Sequence, residues 1–204
     1  SCWRNTKDSQ KVARIMLQFT KDFSKNQVLD FQIYADAYYK AATILYEDIR
    51  TNGVNNDAHC YPVFYLYRHA IELYLKGCFY YLQYISKFME IELPIKKDFY
   101  NNHDLYELNS IVKSIIKKVF ENENDVLTEY GKIWTTIKWF HDNDPTSFSF
   151  RYPIDKKGKN PDKLKHYDLC DIEEKSKKII THLQTFIFGC ECKYYQVIKE
   201  YEEK

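Results

Sequence analysis

The stretch from Tyr61 to Ile91 reads YPVFYLYRHAIELYLKGCFYYLQYISKFMEI, and it decides the fold class. Pro62 stands where a first helical turn tolerates a missing N–H. Apolar side chains then recur almost all round the helical circumference, as in a central helix covered by neighbours on every side. Pro94 and the Lys96–Lys97 pair mark the expected end.

Helical spacing continues in both directions from this core. Upstream, Leu29 to Arg50 carries Phe31, Tyr34, Ala35, Tyr38, Ala41, Ala42 and Leu45 as its expected inner face, and Thr51-Asn52-Gly53 stops it. A shorter helix is predicted over 9–23, with Val12, Ile15, Met16 and Phe19 on one stripe. Residues 53–60 read as a polar loop. Downstream, Asp104 to Phe120 forms the next helix, capped near Asn102 or His103, and Asn124 to His141 the one after. A last long helix is expected to begin near Asp171, with a break at Gly189.

The pattern changes over 142–170, which holds three of the five prolines. There Phe148, Phe150 and Tyr152 alternate with Ser149 and Arg151, a period of two that predicts a short strand, paired with 166–169 as a small hairpin. The expected fold is therefore a single all-α domain over 1–204: a helical bundle with 53–60 and 142–170 as loops and a small irregular or two-stranded β insertion near 146–170. Opening on Ser1 rather than Met, the chain reads as trimmed or as one region of a longer protein.

Composition agrees and excludes several classes. The 204 residues are 45% hydrophobic and suit one domain with a real core. Five Gly are too few for a fold built from many tight turns. Thirty Lys+Arg against 29 Asp+Glu give no global field toward nucleic acid or an acidic membrane. Nineteen Tyr are best explained by compositional drift, since base-stacking platforms normally come with excess positive charge. Six Cys without a CxxC pair suggest free thiols in the cytoplasm, and no apolar run is long enough to span a bilayer.

The sharpest feature inside the central helix is Arg68-His69-Ala70-Ile71-Glu72-Leu73-Tyr74-Leu75-Lys76. Arg68, Glu72 and Lys76 share one stripe at i, i+4, i+8, with His69 beside them. Ionisable groups in an apolar helix are costly to bury unless paired, so the cluster either ties the core together or lines a site; the structural role is the leading expectation. His103 and Asp104 stand at a helix start, where either side chain can cap. His103 also has the titration range of a proton-transfer group. Arg151, beside Tyr152, suits a buried carboxylate such as Glu72, or a phosphate. His59-Cys60 and Cys190-x-Cys192 match no zinc module, and no phosphate-cradling glycine loop occurs, so neither a metal nor a cofactor is implied.

Taken in order, YPVFYLYRHAIELYLKG, NHDLYEL and FRYPIDKKGK resemble a group of uncharacterised bacterial HEPN-like helical proteins, whose central RHxxExxLK helix precedes an HxL-type helix start and a late FRYP segment. The resemblance spans about Tyr61 to Lys159. It implies a helical bundle that often forms a homodimer, with RNA or a partner protein of a defence system as binding partners. Active HEPN ribonucleases carry an Arg and a His separated by about four to six residues. None of Arg4, Arg14, Arg50, Arg68 and Arg151 has a His at that distance. The leading expectation is a non-catalytic module working as sensor, scaffold or partner-binding domain. The alternative is an RNA-cleaving effector with Arg68, His69 and His103 as catalytic groups, and with Glu72, Lys76, Asp104, Arg151 and Tyr152 as substrate or network residues.

Overall fold

The computed structural model describes residues 28–52, 59–93, 99–145, 147, 150–151 and 168–203. Six helices run through them: α1 (Val28–Asn52), α2 (Cys60–Phe88), α3 (Leu105–Val119), α4 (Asn124–Gly131), α5 (Trp134–Asn143) and α6 (Leu169–Glu202). Among the described residues there is no strand, and the all-α class stands. The helix expected over 9–23 lies outside them, as does Tyr152 with most of the expected hairpin. The described end of that hairpin is helical instead. Asp168 caps α6 by accepting a bond from the Cys170 N–H at 2.8 Å, so α6 starts two residues before Asp171.

The central position of α2 follows from its composition. It packs mainly against α1 and α6, and on its other side against α3. Tyr67, Tyr74 and Tyr81, seven residues apart, form a fully buried stripe toward α1 and α6. Their rings fill the core, and each hydroxyl finds a partner on a flanking helix. Tyr67 meets Thr43 at 3.3 Å, Tyr74 donates to Asp36 and accepts from Gln184 at 2.8 Å, and Tyr81 donates to Glu191 at 2.5 Å. Burial pushes the Tyr67 hydroxyl up to about 12 and raises Tyr74 and Tyr81 further, so all three stay protonated donors. Three of the abundant tyrosines are thus helix-to-helix fasteners.

Several expected boundaries move, each for a local reason. α2 ends at Phe88, before Pro94 can act: Glu90 takes a left-handed conformation (φ 56°), and the Ile91 and Glu90 N–H groups close back on the Ser86 and Lys87 carbonyls. The single helix expected over Asn124–His141 is two, α4 and α5. The Lys132 and Ile133 N–H groups bond three residues back to Glu129 and Tyr130, tightening the turn just after Gly131. Tyr130, Ile133, Ile137 and Phe140 remain buried across that turn, so the apolar stripe survives the break. Gly189 breaks nothing, and α6 runs through it. On α1 the inner face is Ala35, Ala42, Tyr46 and Ile49, while Tyr34 and Ala41 point outward.

Candidate functional site

Opposite its tyrosine stripe, α2 presents Arg68, Glu72 and Lys76 toward α3 and the segment before it. With Asp144 they are the most deeply buried charges of the described residues: Arg68, Glu72 and Asp144 are 0% exposed and Lys76 4%. Such burial is tolerable only if every charge is answered. Arg68 donates from Nη1 to Glu72 Oε2 at 3.1 Å, from Nε to the Asp144 carbonyl at 3.0 Å, and from Nη2 to the His103 carbonyl at 2.6 Å. The Asp144 carboxylate lies 3.6 Å from Nε, an ion pair rather than a hydrogen bond. Lys76 Nζ donates to Glu72 Oε1 at 2.8 Å and to the Tyr100 carbonyl at 2.9 Å. Two cations and two carboxylates leave the cluster neutral.

The proton affinities follow from the same geometry. Burial pulls Arg68 below its ordinary value, against the opposing pull of Asp144 and Glu72. For Glu72, burial pushes upward, but Lys76, Arg68 and His103 together outweigh it and hold the carboxyl below its usual range. At neutral pH Glu72 is a carboxylate with every neighbour donating to it.

The other expected site residues divide. His103 joins the network at its edge. Its side chain is 51% exposed, and Nδ1 lies 2.9 Å from Glu72 Oε1. His69, although next to Arg68 in sequence, turns to a different surface. Its ring sits edge-on to Tyr38 at 4.5 Å and nearly parallel to Tyr65 at 5.7 Å. Burial depresses its pKa below the ordinary histidine value, so the imidazole is neutral at physiological pH. Asp104 is the cap of α3, where its Oδ1 accepts from the N–H groups of Tyr106 at 2.8 Å and Glu107 at 3.0 Å. Asn102, expected near that cap, supports it from outside by accepting the Asp104 N–H at 2.8 Å. Arg151 does not reach Glu72. It stands over the Tyr65 ring, 5.7 Å from its centre, and donates to the Ser147 carbonyl.

Sequence reasoning missed Asp144, the Tyr100 and His103 carbonyls, and His141. The His141 Nδ1 lies 3.0 Å from Asp104 Oδ1 but without hydrogen-bond geometry, so the contact is one of proximity. No spacing rule links Asp144 to an arginine 76 positions away. Among the described residues, no three His, Cys, Asp or Glu side chains come together as metal ligands, and no helix is long and apolar enough to cross a membrane.

In chemical terms the cluster holds one group that both carries a proton-transfer function and reaches water, the imidazole of His103. Its Nδ1 is oriented by a carboxylate, as in a general base, but the Arg68 guanidinium is sealed away from any substrate. Comparison with family models, curated proteins and solved structures gives no match for this chain.

Proposed function

We propose that this chain is a non-catalytic, HEPN-like helical module, acting as sensor, scaffold or partner-binding domain in a bacterial defence or stress system. One observation carries the reading. All three guanidinium nitrogens of Arg68, the group that would stabilise a phosphodiester in the ribonuclease alternative, donate to protein acceptors inside a core from which water is excluded. Exposing that guanidinium to RNA would take from the buried Glu72 one of its two cations and from Asp144 its ion pair with Arg68. The biological setting comes from the motif resemblance alone. A homodimer belongs to the same proposal, with Ile33, Tyr34 and Ile44 of α1 as its exposed apolar residues.

A second reading rests on His103. Half exposed and hydrogen-bonded through Nδ1 to Glu72, it is placed to move a proton at its other ring nitrogen. One experiment separates the two. Purified protein is incubated with total RNA and tRNA, with and without chelator, beside a His103→Ala variant whose folding is checked by circular dichroism. The non-catalytic reading expects both proteins to be silent. Chelator-resistant cleavage that drops by roughly two to four orders of magnitude in folded His103→Ala would establish the ribonuclease instead.

A further inference from the structure

Phe120, α4, the turn after it and the second half of α6 line an open cavity of about 420 Å³. That volume falls in the range that small organic ligands fill. Its inner wall is aromatic. Phe186 lies between Phe120 and Tyr130, with ring centres 6.1 and 5.0 Å away. The Tyr130 hydroxyl is spent on Asn109 at 2.6 Å, so the wall is built from its ring and not from its polar end.

Three carboxylates, Glu123, Asp125 and Glu129, share the lining with Lys193 and His182, and Lys132 pairs with Glu129 from the following turn. The dipole of α4 accounts for Glu123 and Asp125, which flank its N-terminus. It disfavours Glu129, in the last turn, which is held instead by its pair with Lys132. Lys193 already shows what this wall accepts, since its ammonium sits 2.8 Å from Glu123 and 5.9 Å over the Phe120 ring. A cation held between a carboxylate and an aromatic face is favourable on both counts.

Gly189 supplies a separate observation. Inside a 34-residue helix a glycine costs about 1 kcal/mol relative to alanine, and close packing usually explains such a choice. Here a Cβ would meet nothing within 4 Å. What the missing side chain leaves is room in the cavity wall.

We propose that this cavity binds a small organic amine, its apolar ring-sized body against Phe120, Tyr130 and Phe186 and its ammonium toward Glu123 and Glu129. An anion would meet three carboxylates and two lysines, Lys193 and Lys132, that are already paired. The assignment gives the sensor reading a ligand class. It rests on residues unrelated to the Arg68 network, so the two stand or fall separately.

Cys192 lines the cavity and is exposed, whereas Cys60, Cys78 and Cys190 are buried. In the full chain carrying Cys2→Ser and Cys170→Ser, maleimide alkylation therefore reads occupancy at Cys192. The probes are phenethylamine, phenethyl alcohol and phenylacetate, molecules small enough that millimolar affinity is the scale to test. Phenethylamine at ten times its Kd should slow alkylation by roughly tenfold, because only the empty protein reacts. The alcohol should protect less and phenylacetate not at all. Gly189→Phe, which plugs the space, should abolish protection. Glu123→Gln/Glu129→Gln, which keeps the shape, should weaken the amine severalfold and leave the alcohol unchanged, so the test survives if the plugged variant fails to fold. No saturable protection by millimolar amine overturns the proposal. So does equal protection by phenylacetate or the alcohol, protection that persists in folded Gly189→Phe, or protection only by a lysine-containing peptide, which would make the cavity a protein-docking site.

Discussion

The two charged regions of this molecule are built on opposite terms. Where α2 faces α3, Arg68, Glu72, Lys76 and Asp144 are buried together, and each charge is answered within about 4 Å. Where α4 faces α6, Asp125 and Glu129 stand in solvent at the mouth of an open cavity, and the wall behind them is apolar. The first region is conspicuous in sequence because charges in an apolar helix violate its pattern. That conspicuousness records the compensation burial requires. The second region breaks no pattern, since acidic residues near a helix start are ordinary. It keeps the room that binding needs.

The largest effect expected from this contrast is at Glu72. Its carboxylate is the acceptor shared by Arg68, Lys76 and His103. Among the described residues Glu72→Ala leaves two buried cations with only the Asp144 carboxylate opposite, and truncating one member of such a network costs about 3–5 kcal/mol. Urea unfolding monitored by circular dichroism should show a midpoint far below wild type, or no folded baseline. Glu129→Ala at the cavity rim, read the same way, should barely move it. Equal midpoints for Glu72→Ala and wild type would erase the distinction between the two regions.

A smaller effect concerns His69, the member of the charged motif that faces aromatic rings instead of the network. Burial holds its folded-state pKa below the ordinary value of 6.5. The unfolded chain therefore takes up a proton first as pH falls. The stability contribution is complete above pH 6.5 and is lost as pH drops from there toward the folded-state pKa. His69→Phe keeps a ring between Tyr38 and Tyr65 but cannot titrate. The difference between the wild-type and His69→Phe stability curves should be flat above neutrality and turn against wild type in mild acid. A difference independent of pH would mean that the imidazole is not desolvated in the fold. The contribution of Glu72 runs in the same direction but belongs to more acidic pH, because its carboxyl is held below 4.5.

Much of the fold was legible from the chain because its signals are local. The stop at Thr51-Asn52-Gly53, the 3.6-residue periodicity of α2 and α3, and an acidic residue at the start of α3 all act within a few positions. The misreadings share one cause. Ile133, Ile137 and Phe140 point into the same core on either side of the turn that divides α4 from α5, so burial keeps their stripe in phase where backbone hydrogen bonds change. On α1, whose mixed face offers apolar residues at several angles, neighbours on α2 and α6 chose the phase and turned Tyr34 outward. At the site, the i, i+4, i+8 pairing of Arg68, Glu72 and Lys76 is short-range and was readable. Asp144 and the two carbonyl acceptors arrive through the tertiary fold, and the cavity is a property of two helices that no single segment encodes.

Gly189 gives the smallest and cleanest test, because the sequence reading and the structure disagree on its role. If glycine marked a break in α6, alanine there would oppose the break and bring strain. In the structure the helix is continuous through this position, and a Cβ meets nothing within 4 Å. Gly189→Ala should then stabilise by about 0.5–1 kcal/mol, through the reduced entropy of the unfolded chain and the better helix propensity of alanine. For a chain of this size that corresponds to a rise in Tm of roughly 1–4 °C. Gly77, in the close-packed region, supplies the control. Its Cβ would sit 3.8 Å from Phe31 Cβ and 4.0 Å from Ile187 Cδ1, so one methyl group fits in ordinary contact but a larger side chain has nowhere to go. Phenylalanine should accordingly be tolerated at Gly189 and unfold the protein at Gly77. If both positions reject it, the wall between α4 and α6 is as tightly packed as the core around α2, and the comparison between the two regions fails.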